Sequence, residues 1–170
     1  MNVAGILLRI PAIFYHSIMQ TDDQTMNILL VQPDTRWEAP AQNLELLREM
    51  VAPHTSQTDL VILPETFSTG FTMNVASCAD RQGMALAWMQ EMAEAWQATL
   101  TGSVITPAGR KVYNRMYWVS PERGTTEFYD KRHLFRMGRE EKHFVAGHRR
   151  VITRQDDFRF LLQVCYDLRF

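Results

Sequence analysis

Alternating apolar strands and amphipathic helices form the main pattern along the chain. Residues 27–31 are a short apolar run, and residues 41–51 place apolar side chains at helical spacing. A second continuous apolar run, residues 59–63, is typical of a buried strand. The pattern therefore predicts a strand–helix–strand unit at the start of the domain.

The same order recurs further along the chain. A helix is predicted near residues 83–97, where Trp88, Met92 and Trp96 share one face, and a strand follows at residues 99–105. Helices that alternate with strands in this way favour an α/β fold, with the helices packed against a sheet.

The second half of the chain reads as antiparallel strands. Strands at residues 112–120 and 125–129 flank a turn at residues 121–124, where Pro and Gly occupy positions that turns prefer. A charged, irregular stretch at residues 130–150 is longer than most loops of a compact domain and is a candidate functional loop.

The two ends of the chain carry separate expectations. Strands are predicted near residues 151–154 and 158–164. The apolar stretch in residues 1–25 is interrupted by charge, is too short to span a membrane, and lacks a following small-residue cleavage site. A weak signal peptide and an interfacial helix are alternatives, but we favour an N-terminal extension outside the fold and one domain over residues 26–170.

Composition narrows the classes of protein. The chain has 170 residues, of which 46% are hydrophobic, enough for one stable core. Lys and Arg number 18 against 19 Asp and Glu, so the net charge of -1 gives no reason to expect a nucleic acid or an anionic membrane as partner. Two cysteines make no disulfide framework, which favours a reducing, cytoplasmic location.

Three reactive side chains directly follow predicted strands. They are the carboxylate of Glu65, the ammonium of Lys131 and the thiol of Cys165. Because ligands bind at the carboxyl ends of strands in open α/β sheets, we expect these groups to converge. The carboxylate can act as general base, the ammonium favours thiolate and stabilises an oxyanion, and the thiolate can attack a carbonyl or nitrile carbon.

Each residue also has a simpler interpretation when it is taken alone. A cysteine at the end of an apolar strand is often part of the core, a glutamate after a strand often caps a helix, and a lysine beside other basic residues is often a solvated turn. Cys78, which has no preceding strand, is interpreted as an ordinary thiol.

Three segments resemble the signature stretches of the nitrilase, or carbon–nitrogen hydrolase, superfamily, and they stand in that family's order. They read Leu-Pro-Glu at residues 63–65, Tyr-Asp-Lys-Arg-His-Leu-Phe at 129–135 and Val-Cys-Tyr-Asp-Leu-Arg-Phe at 164–170. Residues 65–71 are similar to the omega-amidase branch, whose members hydrolyse the terminal amide of 2-oxo-dicarboxylate monoamides such as 2-oxoglutaramate. The resemblance covers residues 26–170 and implies an α-β-β-α sandwich.

The resemblance also implies the role of each site residue. Glu65 is the expected general base, Lys131 the oxyanion-stabilising cation and Cys165 the nucleophile. The backbone N–H of Tyr166 would complete the oxyanion hole. Arg169 would bind a substrate carboxylate, although a structural ion pair is an equal alternative.

The family places a second glutamate in the loop after the lysine, where it orients the lysine. Two adjacent glutamates, Glu140 and Glu141, lie there, and we choose Glu140 because it stands seven residues before Gly147. Glu141 is expected to be a solvated neighbour.

No metal and no cofactor are predicted, because the histidines of this loop match no zinc-binding spacing. The expected reactants are a small amide and water.

The family's chain normally continues beyond its cysteine motif, so the sandwich is expected to be incomplete at the C-terminus. Alone, this chain is expected to associate through its exposed last strand and to lack measurable omega-amidase activity, whereas a complete protein is expected to be an active homodimer. Alternatives are another branch of the superfamily, a nitrilase or an N-carbamoyl amidohydrolase, and an inactive remnant.

Overall fold

The computed structural model describes residues 15–20, 25–122 and 126–170. Its strands are β1 (Tyr15–Gln20), β2 (Thr25–Leu30), β3 (Leu60–Ile62), β4 (Thr99–Ala108), β5 (Lys111–Val119), β6 (Thr126–Asp130), β7 (Ile152–Gln155) and β8 (Phe158–Leu161). Its α-helices are α1 (Pro40–Val51), α2 (Val75–Cys78) and α3 (Met84–Trp96). Shorter 3-10 turns lie at Ala52–Gln57, Arg136–Gly138, Glu140–Lys142 and Cys165–Arg169.

Six strands form one mixed sheet in the order β1-β2-β3-β4-β5-β6, and β7 and β8 form a separate pair. Strands β2, β3 and β4 are mutually parallel, which confirms the two predicted strand–helix–strand units. Strands β4, β5 and β6 are antiparallel, which confirms the predicted hairpin between β5 and β6. The predicted turn at 121–124 falls partly outside the described residues.

The two faces of the large sheet bury different layers. Neighbouring residues of a strand point to opposite faces, and in β2 Leu29 packs with the helices α1 and α3 whereas Ile28 packs with the small sheet. On the small-sheet side, Trp118 lies 4.9 Å from Phe160 between ring centroids. The described residues therefore stack in the order α-β-β, as the predicted sandwich requires for its first three layers.

The last predicted strand is shorter than expected. We predicted residues 158–164, but β8 ends at Leu161. The backbone N–H of Val164 donates instead to Asp167 Oδ2 at 3.0 Å, which turns the chain before Cys165. Cys165 therefore begins a 3-10 turn and does not directly follow a strand.

Residues 15–20 depart from the expectation that residues 1–25 stand outside the fold. They form β1, which pairs antiparallel with β2. This pairing satisfies the backbone N–H and C=O groups that β2 would otherwise leave open at the sheet edge. Residues 1–14 and 21–24 lie outside the described residues.

Several large apolar side chains are exposed near the end of the chain. Leu161 is 50% exposed, Leu168 77% and Phe170 69%. They provide the kind of surface through which the chain is expected to associate, and that association stays a prediction. Within the described ranges, no helix combines the length and the apolar character needed to cross a lipid bilayer.

Candidate active site

The segment that carries Glu65 is fixed to the neighbouring strand by its backbone. Thr66, the next residue, has a φ of 45° and donates its N–H to Ser103 Oγ at 2.8 Å. The N–H of Phe67 donates to the backbone oxygen of Ser103 at 3.1 Å. A non-glycine residue in this left-handed region is strained, and such strain persists where the surroundings hold it in place. These hydrogen bonds therefore fix the orientation of the backbone that follows β3 and carries Glu65.

Lys131 lies between two carboxylates. Its Nζ is 2.6 Å from Glu65 Oε1 and 3.0 Å from Glu140 Oε2, and the side chains of Lys131 and Glu140 are both fully buried. Burial by itself would lower the pKa of Lys131, but the charges and hydrogen bonds of the two carboxylates outweigh it and raise that pKa. The side chain is therefore an ammonium ion held in a fixed position.

The structure separates the two adjacent glutamates of the loop. Glu140 accepts a hydrogen bond from the backbone N–H of Phe135 at 2.6 Å and faces Lys131. Glu141 is exposed. Gly147 brings the end of this loop back to the lysine, since its N–H donates to the Lys131 oxygen at 2.9 Å. A Cβ at Gly147 would collide with the backbone oxygen of Asp130, so this approach requires glycine.

Asn114 joins the same group, although the sequence did not single it out. It is fully buried, and its Nδ2 donates to Glu65 Oε1 at 2.8 Å and to Glu140 Oε1 at 3.1 Å. Its backbone oxygen accepts from the Lys131 N–H at 3.0 Å. An amide in the middle of a predicted apolar strand was the available signal.

Cys165 completes the convergence. Its φ of 46° is again in the left-handed region, and its thiol lies near enough to Glu65 to interact with the charge of that carboxylate. The residue is exposed overall, yet desolvation of the thiol is the largest cause that raises its pKa. The interaction with the Glu65 carboxylate is the next largest cause. Lys131 lowers this pKa, as the sequence predicted, but not enough to compensate. The resting site therefore holds a neutral thiol.

Asp167 ties the cysteine turn to the lysine segment and was also missed from the sequence. This buried carboxylate accepts hydrogen bonds from Tyr129 Oη at 2.8 Å and from the backbone N–H of His133 at 2.9 Å. His133 Nδ1 also lies 2.8 Å from Asp167 Oδ1. Burial would raise the pKa of Asp167, but the hydrogen bonds, that from the Val164 N–H foremost, lower it. Residues on both sides of Lys131 thus hold an ionised Asp167.

The two residues predicted to bind substrate lie beside this turn. The ring of Tyr166 contacts those of Phe135 and Phe170 edge-on, each with centroids 5.4 Å apart. Arg169 is exposed, and its guanidinium has no ion pair or hydrogen bond with the described residues. Both interpretations of Arg169, as a ligand of a substrate carboxylate and as a structural ion pair, stay predictions.

The histidines of the loop at residues 130–150 lie in different surroundings. His133 bonds to Asp167 and stacks on Phe170 at 4.2 Å, whereas His143 and His148 are exposed. Within residues 15–20, 25–122 and 126–170 there is no group of three or more His, Cys, Asp or Glu that could hold a metal ion.

Several known proteins are similar to this chain in sequence and in fold. Residues 28–170 match the carbon–nitrogen hydrolase family. The omega-amidase YafV of Escherichia coli K12 is 39% identical over 145 residues, 85% of this chain and 56% of that protein. The omega-amidase YafV of Yersinia enterocolitica is 38% identical over 146 residues, 86% of this chain and 56% of that protein. The chain thus spans little more than half the length of these curated relatives.

Solved structures give the same result. XC1258 from Xanthomonas campestris, a CN-hydrolase superfamily protein with an arsenic adduct in its active site, superposes with a TM-score of 0.80 at 42% identity, over 84% of this chain and 54% of that one. An amidase from Nesterenkonia sp. AN1, with acrylamide added at its active-site cysteine, has a TM-score of 0.75 at 26% identity, over 85% and 59%.

Proposed function

Because the chain belongs to the carbon–nitrogen hydrolase family, we propose that it carries the catalytic site of an amidase with a cysteine nucleophile. The observation that supports this proposal most is the fixed ammonium of Lys131, whose Nζ lies 2.6 Å from Glu65 Oε1, with the thiol of Cys165 within the electrostatic influence of both groups. Acyl transfer through a thioester needs a base, a cation and a nucleophile at one site.

The first half of the reaction forms the thioester. As Cys165 Sγ attacks the amide carbon, Glu65 takes the thiol proton. The negative charge that develops on the carbonyl oxygen is stabilised by Lys131 and by the backbone N–H of Tyr166. When the intermediate collapses, the carbon–nitrogen bond breaks, Glu65 returns the proton, and ammonia leaves.

The second half regenerates the enzyme. Water replaces ammonia, Glu65 takes one of its protons, and the hydroxide attacks the thioester carbon. The carbon–sulfur bond then breaks, the carboxylic acid leaves, and the sulfur recovers its proton from Glu65. Amide and water thus become acid and ammonia, with no net change in the protein.

A neutral resting thiol fits this mechanism. Burial and the neighbouring carboxylates raise the pKa of Cys165, so little thiolate exists before substrate binds. Proton transfer to Glu65 is then coupled to the attack. Glu140 also contacts the Lys131 ammonium, and this second carboxylate helps to hold the ammonium where it can stabilise the carbonyl oxygen.

For the substrate we propose the terminal amide of a 2-oxo-dicarboxylate monoamide such as 2-oxoglutaramate. Two relatives carry the name omega-amidase. The exposed guanidinium of Arg169 stands four residues after the nucleophile, where it can pair with the substrate's carboxylate. The cytoplasmic location, the homodimer of a complete protein and the lack of a nucleic-acid partner stay predictions.

Ammonia release measured with three substrate classes tests this function. We expect the chain extended with the C-terminal part of E. coli YafV to release ammonia from 2-oxoglutaramate, and to act at least about 100-fold less well on a carbamoyl amino acid or a nitrile, because a site built for one polar group rejects analogues that lack it. The chain without this extension is expected to show no measurable release.

The matched control is the extended chain with Cys165→Ala, which should release no ammonia while it keeps its circular dichroism spectrum. A preference for the carbamoyl compound or the nitrile would favour one of the other branches of the superfamily. A folded extended chain with no turnover of any of the three would favour a non-catalytic remnant.

A further inference from the structure

One oxygen of Glu65 is occupied by two donors. Glu65 Oε1 accepts from Lys131 Nζ at 2.6 Å and from Asn114 Nδ2 at 2.8 Å. Glu140 uses its two oxygens separately, since Oε2 faces Lys131 and Oε1 accepts from Asn114. The ammonium and the amide therefore bridge the same pair of carboxylates from two sides.

The orientation of the Asn114 amide follows from its neighbours. With the amide reversed, its oxygen would face two carboxylate oxygens and no donor, so the NH2 group must point to them. In this orientation Asn114 Oδ1 is buried and has no hydrogen-bond partner among the described residues. A buried acceptor without a partner is unfavourable. Among the described residues, the Asn114 side chain therefore forms hydrogen bonds only through its NH2 group, which donates to the two carboxylates.

These two donors restrict the carboxylate of Glu65. Because Oε1 is bound on two sides, the second oxygen, Oε2, is left to receive a proton. Asn114 belongs to β5, whereas Lys131 follows β6, so the two donors hold the Glu65 carboxylate from different strands. The carboxylate cannot rotate about its last bond without losing one of these two hydrogen bonds.

We propose that Asn114 is a positioning residue that fixes the carboxylate of Glu65, so that Oε2 is the oxygen that exchanges protons with the thiol of Cys165. This inference rests on the proposed role of Glu65 as base. The ionisable groups that face Glu65 are Lys131, Glu140 and Cys165. Asn114 is a neutral hydrogen-bond donor beside them.

The test is the pH midpoint of Cys165 alkylation by iodoacetamide in the 170-residue chain, followed by peptide mass spectrometry. Glu65 contributes to the raised pKa of the Cys165 thiol, so Glu65→Gln should lower this midpoint. Asn114→Ala lets the Glu65 carboxylate move away from the thiol, so it should also lower the midpoint, by on the order of half a pH unit.

A double-mutant cycle separates positioning from a general structural effect. If Asn114 acts through Glu65, the Glu65→Gln/Asn114→Ala double variant should have the midpoint of Glu65→Gln alone, whereas independent effects would add. Thr101→Val is the matched control: it removes another buried donor, which bonds to the Tyr117 backbone oxygen at 2.8 Å, and should leave the midpoint unchanged.

If Asn114→Ala leaves the midpoint at the wild-type value, raises it, or adds its shift to that of Glu65→Gln, the proposal is wrong while the role of Glu65 stands. If Glu65→Gln itself causes no shift, the proposed function fails with it. Asn114→Ser, whose side chain is too short to reach Glu65, repeats the test if Asn114→Ala does not fold. Loss of the fold in both would assign Asn114 a structural role instead.

Discussion

Replacing Lys131 with Met is expected to lower the free energy of unfolding by about 3–5 kcal/mol, because it removes the cation from a buried cluster of charges. Lys131 is fully buried, and its ammonium contacts Glu65 and Glu140 at 2.6 and 3.0 Å. Met has a similar length but no charge, so two carboxylates are left without their cation. Urea unfolding followed by circular dichroism measures the loss.

The controls for this prediction come from the same loop. Lys142→Met changes an exposed lysine and should alter the free energy of unfolding by no more than about 0.5 kcal/mol. Adding Glu140→Gln to Lys131→Met removes one uncompensated charge and should recover part of the loss. Equal stabilities of the Lys131→Met and Lys142→Met variants would show that the ammonium does not hold the carboxylates together.

Replacing Glu65 with Gln is expected to move two readouts in opposite directions. In the extended chain, kcat for amide hydrolysis should fall by about 10²–10⁴-fold, because the general base is lost. The Glu65 carboxylate raises the pKa of the Cys165 thiol, so its removal lowers that pKa. Thiolate then forms at lower pH, and alkylation of Cys165 at neutral pH becomes faster. Ammonia release and iodoacetamide labelling measure the two effects.

Glu141→Gln is the matched control, since Glu141 is exposed and should change neither readout. Cys78 serves as an internal reference for labelling, because burial and the charge of Glu38 raise its pKa. A fall of both hydrolysis and alkylation in the Glu65→Gln variant would instead indicate a damaged fold, and unchanged hydrolysis would remove Glu65 as base.

The elements that the sequence predicted best are those with local signals. The helical spacing of residues 41–51 and 83–97 predicted α1 and α3 to within a residue or two at each end. The strand-end positions of Glu65 and Lys131 predicted that they would meet, because the topology of an α/β sheet brings such ends to one edge. These inferences needed only periodicity and chain order.

The remaining features depend on contacts between distant parts of the chain. Asn114 reaches the site through the cross-strand register of β5, which no local pattern encodes. The end of β8 depends on a buried carboxylate, Asp167, that takes the N–H of Val164. The raised pKa of the Cys165 thiol reflects a balance between burial, two carboxylates and one ammonium. The spacing of the residues predicted that the Lys131 ammonium lowers the pKa of Cys165. It could not show that burial and the two carboxylates raise this pKa by more.

If Cys165 is the nucleophile, it carries the acyl group of the substrate during turnover. The extended chain is mixed with 2-oxoglutaramate, quenched in acid within the first turnovers, and mapped by peptide mass spectrometry. Acid slows thioester hydrolysis, so we expect the substrate's acyl group on Cys165, none on Cys78, and none anywhere after Cys165→Ala. Ammonia release that continues after Cys165→Ala, or a folded chain with neither ammonia nor an acyl group on Cys165, would contradict the role of Cys165 as nucleophile.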